Sequence, residues 1–289
     1  MNFLDALLLL MILIWGSNFS IVKVALRDFP DTAFNAMRLL LASGVYLAAI
    51  RTASAEERAA LTRRDWRNLA LLGIVGTFFY QFFFVMGVSR TSVANSSLII
   101  GMSPVFISVL SSLAGHERIK PMRWLGVLLA LFGLYLVVGH GLDLTGVTWR
   151  GDALMIAGVT CWAVFSVAAQ PLLKKHSPLI VIGYAFSIGS AFNIAAVLPW
   201  LLRVDWHAIS ATSWVLMVVS ALLSLNFSYW IWYTGLKKLG GSRTSVYSYL
   251  TPIVAIVVAA VWLHEPISSN QVAGAAAIFS GLLITRFVS

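Results

Sequence analysis

Runs of apolar residues separated by short polar connections recur along the whole chain. A helix needs about 20 mainly apolar residues to cross the hydrocarbon core of a bilayer. Ten windows meet that requirement, at 4–22, 31–50, 68–88, 92–114, 122–140, 152–171, 178–200, 213–235, 243–263 and 270–287. No water is available in hydrocarbon to satisfy exposed backbone groups, so each window is predicted to be a helix rather than a strand of an open sheet. One polar connection is long, Arg51 to Arg67, and reads as a surface loop or an interfacial helix. None of the others is long enough to hold a soluble domain.

The small and polar residues within this pattern occur twice. Pro104, His116, Glu117, Gly126 and Gly133 recur as Pro252, His264, Glu265, Gly274 and Gly281, each 148 positions on. Asp5 and Trp15 recur as Asp152 and Trp162 at an offset of 147. A repeat of this kind outranks any local feature in deciding architecture. The 289-residue chain divides into a first repeat at 1–145 and a second at 146–289, with five windows in each. An odd number of crossings per copy predicts that the second copy is inverted relative to the first. The expected fold is therefore an all-α membrane protein of ten transmembrane helices, two inverted five-helix repeats around a central cavity. Such repeats hold a substrate at their interface near the bilayer midplane and work by alternating access.

Composition agrees: 60% of residues are hydrophobic and only 11% charged. The net charge of +9 would point to nucleic acid in a soluble protein. Here the basic residues sit in short connections, where they set orientation instead. With the N-terminus inside, the cytoplasmic connections hold fourteen Lys and Arg, from the Arg51–Arg67 stretch to Arg286, and the outer ones five. Both termini are thus expected to be cytoplasmic, with Glu117 at the inner face and Glu265 at the outer. The partners expected are a lipid bilayer and a small-molecule substrate, with no nucleic acid. A lone Cys161 excludes an internal disulfide and a Cys-based metal site. No cofactor or metal is expected. The first apolar run has no basic residue before it and no cleavage site after it, so it reads as a retained helix.

Candidate chemistry lies on a few helix faces. Thr77, Tyr80, Gln81 and Phe84 share one face of the third window, and Asn226, Tyr229, Trp230 and Tyr233 one face of the eighth. Amides can hold amino or carboxylate groups and rings can stack a substrate body; bundles also use such residues for interhelical bonding. Trp15 and Asn18 interrupt the first window, and Trp162 occupies the place of Trp15 in the second repeat. Pro104 and Pro252 each remove a backbone donor inside a window, close to the polar residues Asn95, Ser97 and Ser248. The resulting kinks either expose carbonyls to a cavity or are merely structural. Arg38 lies inside the second window. It is either functional, as intramembrane ions generally are, or it snorkels outward and pairs with Asp31. His116-Glu117 and His264-Glu265 look like gate or loop residues, since neither completes an H-E-x-x-H zinc motif. No nucleophile elbow or phosphate loop is present, and all five histidines fall near window ends.

With these residues in view, the chain resembles the drug/metabolite transporter superfamily, in its ten-helix EamA type. The resemblance rests on the W-G-S-N-F opening at Trp15–Phe19, the R-L-L-L-A run at Arg38–Ala42 and both P…E…G…G stretches. It covers nearly the whole chain and implies a cavity built by the first four helices of each repeat, with the fifth and tenth peripheral. The abundance of aromatic residues is similar to that of the YddG-type exporters, which implies export of amino acids including aromatic ones across a bacterial inner membrane. Another EamA-type substrate, such as a cysteine-pathway compound or a sugar derivative, is the alternative, and an intramembrane lipid-modifying enzyme a more remote one. The small multidrug members of the superfamily use an embedded glutamate in their first helix; no acid lies between Ala6 and Val22 here, which disfavours export of drug cations by that route.

Overall fold

The computed structural model describes residues 3–113, 121–139, 148–239, 244 and 247–287, and among them every regular element is helical. The first repeat folds as α1 (Phe3–Ala25), α2 (Asp31–Ile50), α3 (Arg63–Arg90), α4 (Val93–Gly101, resuming as Ser103–Leu113) and α5 (Pro121–Gly139). The second folds as α6 (Thr148–Lys175), α7 (Pro178–Leu201), α8 (Ala211–Leu239), α9 (Thr251–Leu263) and α10 (Ser269–Phe287).

Local signals set the helix starts. Ser92, Ser177 and Ser210 precede α4, α7 and α8, and each hydroxyl accepts a first-turn N–H, from Asn95, Ile180 and Ser213. Thr62 and Asp65 form a reciprocal capping box that starts α3 well ahead of its apolar window. The polar connection after α2 is accordingly shorter than the Arg51–Arg67 stretch suggested, and carries one short helix at Ala55–Ala59.

Among the described residues six helices are long and apolar enough to cross a membrane: α1, α2, α3, α6, α7 and α8. The windows at 92–114 and 243–263 behave differently. α4 breaks at Met102, and in the second window helix at Tyr247–Ser248 gives way to a turn at Tyr249–Leu250 before α9 starts at Thr251. Proline is the reason in both, because it has no N–H to give and disfavours helix in the residue before it. Pro104 and Pro252 each fall in the first turn of a restarted helix. The kinks expected at these positions are therefore helix starts. α3 and α8 each contain a π-helical turn, at Ile74–Phe79 and Ser220–Phe227. Shifted by 148, the first falls within the second.

Helices at corresponding places in the two halves pack on each other. α5 lies along α10, where Gly133 meets Gly274 and Ile278 while Gly281 meets Gly126 and Ala130. Advancing along α5 means retreating along α10, so the pair is antiparallel. A Cβ on Gly133 would lie 2.6 Å from the Gly274 carbonyl oxygen, so this approach depends on glycine. α2 and α7 behave alike. Ser43 donates to Ser190, 147 positions on, at 2.6 Å, Tyr46 packs on Phe186 with centroids 5.4 Å apart, and Ile50 covers Gly183. A small apolar cluster, including Leu98, Met102, Val127 and Ile278, seats the α5–α10 pair on α4 at the edge of the molecule. The main core runs through the other helices.

Candidate functional site

Between α1, α2, α3, α4, α6, α8 and the start of α9 lies a small cavity lined by residues of both halves of the chain. Aromatic rings make most of its wall. Trp15 and Trp162, the repeat counterparts, meet edge to face with centroids 5.8 Å apart. Tyr80 lies 5.2 Å from Trp162, and Tyr229 lies 5.5 Å from Trp162 and 6.0 Å from Trp15. Phe19 and Phe84 pack together at 5.3 Å. Edge and tilted contacts of this kind are the preferred geometries of packed aromatic rings.

The π turn of α8 builds part of this wall. A π turn inserts a residue into the helical ladder and releases carbonyls from their usual partners. The Trp15 indole N–H donates to the Ser224 carbonyl at 3.1 Å, and the Tyr46 hydroxyl to that of Leu225 at 2.6 Å. The helix breaks close another side: Ile100, Gly101 and Ser103 from α4 face Ser248 and Thr251 beside Pro252.

A polar chain crosses the cavity from one repeat to the other. Arg38 donates to Gln81 Oε1 at 2.6 Å, to Ser220 Oγ at 3.2 Å and to Asn35 Oδ1 at 3.4 Å. Gln81 in turn donates to the Tyr229 hydroxyl at 2.8 Å, its counterpart 148 positions on. Ser220 donates to Asn18 at 2.7 Å, which supplies the partner that an intramembrane asparagine requires. Arg38 is fully buried, with Phe34 and Phe84 rings 5.4 and 5.8 Å from its guanidinium carbon. The snorkelling alternative for Arg38 is thus corrected: it is buried in the cavity wall. Asp31 is engaged by Arg90 at 2.9 Å instead, because Arg90 ends α3 beside it.

Of the residues singled out from the sequence, Trp15, Asn18, Tyr80, Gln81, Trp162 and Tyr229 line the cavity together with Arg38. Four others lie away from it. Asn95 donates to the Asp152 carboxylate at 3.1 Å and accepts from Gln271 at 2.8 Å, in a cluster at the start of α6 that Thr91 joins through its own bond to Asp152 at 2.6 Å. The Ser97 hydroxyl turns back to the Ala94 carbonyl at 3.0 Å. Asn226 reaches across to the Ala42 carbonyl at 3.0 Å. Tyr233 is buried behind Tyr229, against Phe165. Trp230, expected on the same stripe, points outward and is 43% exposed. The π turn shifts Asn226 out of phase with the residues after it, while Trp230 lies in regular helix beyond the turn, where the step of about 100° from Tyr229 aims it outward. Pro104 and Pro252 act through their neighbours Ser103 and Thr251. Glu265 lies in the connection after α9 and its carboxylate accepts the Val93 N–H at the start of α4, at 3.0 Å. Glu117 falls outside the described residues. Phe19, Ser103, Ser224, Ser248 and Thr251 line the cavity and were not proposed as binding residues. For Ser103, Ser248 and Thr251 the signal was their place beside the prolines; Ser224 carried none.

The chain matches the model of the EamA-like transporter family over residues 2–139 and again over 149–287. It is 27% identical to "Uncharacterized transporter YyaM" of Bacillus subtilis, over 93% of this chain and 88% of that protein. It is 27% identical to the "Probable terminal-alkyne amino-acid exporter" of Streptantibioticus cattleyicolor, over 96% and 92% of the two chains. It is also 27% identical to the "Probable amino-acid metabolite efflux pump" of Salmonella typhimurium, over 97% and 94%. A crystal structure superposes with a TM-score of 0.71 at 20% identity, over 99% of this chain and 97% of the other, which speaks to the fold alone.

Proposed function

Because this chain belongs to the EamA-like transporter family, we propose that it exports small metabolites across the bacterial inner membrane, amino acids including aromatic ones among them. The observation that carries this reading is the cavity between the two halves, walled by aromatic rings and crossed by the Asn18–Ser220–Arg38–Gln81–Tyr229 chain. The rings suit an apolar side chain, and the polar chain suits the charged end of the same solute. Trp15, Asn18, Tyr80, Gln81, Arg38, Trp162 and Tyr229 are its proposed substrate-binding residues. The names of two relatives, an amino-acid exporter and an amino-acid metabolite efflux pump, favour the same class of solute.

The working fold is two inverted five-helix repeats, ten crossings in all, with both termini cytoplasmic. The antiparallel α5–α10 and α2–α7 pairs and the fourteen-to-five split of basic residues support it. Alternating access would then proceed by rocking of one repeat against the other around the shared cavity. Counterflow in liposomes tests the function. Purified protein should exchange labelled phenylalanine or another apolar amino acid against the unlabelled solute. Absence of counterflow for every member of an amino-acid panel would dismiss this substrate class.

A further inference from the structure

Arg38 is an ion without a counter-ion. It is fully buried, and its three hydrogen-bond partners, Gln81, Ser220 and Asn35, are all neutral. Its Nε has no partner at all. Among the described residues the ion pairs are Arg90–Asp31 and His176–Asp65, and no carboxylate reaches Arg38. Among the described residues the cavity it faces is lined by no acid either. A buried guanidinium satisfied only by neutral acceptors and ring faces is poised for an anion, with which it can form a bidentate, charge-assisted pair.

The duplication sharpens the point. At an offset of 147 the place of Arg38 in the second repeat is held by Ala185, and that of Asn18 by Phe165. Only the first repeat thus brings a cation to a cavity that both repeats wall with tryptophan. One charged end of the solute is recognised, on one side, with an aromatic surface opposite.

We infer that Arg38 binds the carboxylate of the transported solute, and that the cavity selects organic monoanions with an apolar body whether or not they carry an amino group. This deepens the transport reading and rests on it for the word transported. With no acid in the lining, an ammonium group gains nothing from charge there. A solute that has lost its carboxylate leaves Arg38 buried and unpaired, which costs affinity steeply.

The test uses three probes of one body: phenylalanine, phenylacetate and phenethylamine. Binding to purified protein is read from the fluorescence of the cavity tryptophans, separately from transport. Phenylacetate should bind, and phenethylamine should bind roughly thirtyfold more weakly or worse. Arg38→Gln should erase that difference, and Arg38→Lys should keep part of it. Phenethylamine binding as well as phenylacetate, or binding by neither, overturns the inference on wild-type protein alone, so it stands or falls even if the Arg38 variants do not fold. Full discrimination retained in folded Arg38→Gln overturns it as well. Carboxylate-selective binding without counterflow would uphold the inference and dismiss the transport reading instead.

Discussion

Gln81 is the residue whose chemistry most directly governs Arg38, since its side-chain oxygen takes the shortest of the guanidinium's bonds, 2.6 Å. Replacing it by the isosteric Gln81→Glu would place a carboxylate against the cation at nearly constant volume. An internal pair of that kind competes with any external anion. Binding of phenylacetate should fall about thirtyfold or more in Gln81→Glu with no loss of thermal stability; affinity unchanged within twofold would contradict the placement of the anion. A second residue-scale effect lies outside the membrane spans. The Asp28 carboxylate, between α1 and α2, receives the Ser210 N–H at 3.1 Å and the Ser213 hydroxyl. Hydrogen bonds from Ser210 and Ser213 hold its pKa below the usual carboxylate value. A depressed folded-state pKa contributes stability that is fully present above the unfolded value and is lost as pH falls through the folded one. Wild type should therefore melt higher than Asp28→Asn near neutral pH, with the gap closing in acid. The group is exposed, so the gap should be small. A gap that widens on acidification would reverse the assignment.

Two kinds of element carry the site, the π turns and the glycine contacts, and they fail differently when altered. The π turn Ser220–Phe227 aims the Ser224 carbonyl at Trp15 and carries Ser220 to Arg38. Deleting Leu222, which is 38% exposed on the outer face, would let the turn revert to regular α-helix. The flanking helix would keep its phase, but the carbonyls the turn releases would return to the helical ladder, so Trp15 and Tyr46 would lose the acceptors at Ser224 and Leu225. The deletion variant should keep its helical content by circular dichroism and lose counterflow to background. The α5–α10 contact is a different matter. Gly133→Leu would drive a side chain into the Gly274 carbonyl and Ile278. Overpacking of this sort costs about 1–3 kcal/mol. Because the pair sits at the edge of the molecule, melting should fall while the order of preference among the three probes stays the same. A changed preference would tie α5 and α10 to the cavity.

At the scale of the whole molecule, orientation follows from where the basic residues collect. A reporter active only outside the membrane and fused after Ser289 should give no signal, and a strong signal would reverse the topology. Cysteines at Gln81 and Tyr229 in a Cys161→Ala background should react with small aqueous thiol reagents and be protected by phenylalanine. One at Leu128, 58% exposed on the outer face of α5, should stay unreactive in lipid. Equal protection at all three would favour a closed, purely structural core. What the sequence by itself determined were properties that lie along a line. Apolar run length against bilayer thickness marked the six helices that are long enough to span among the described residues, but not the breaks beside Pro104 and Pro252. The 147–148 offset revealed the duplication, and the period of the helix gathered Tyr80, Gln81 and Phe84 onto one face. The same reasoning brought out Trp15, Asn18, Trp162 and Tyr229. What only the tertiary structure decided was which of several polar residues turn toward the cavity. The π turn in α8 changes the helical phase without any residue type that announces it, so Asn226 left the stripe and Ser224 entered the wall, whereas Trp230 and Tyr233 lie beyond it in regular helix and were separated from Tyr229 by packing alone. Arg38 is held inward by Gln81 and by Ser220, 43 and 182 positions away. Whether a charge snorkels or is buried depends on such distant partners, and their proximity exists only once the helices have packed.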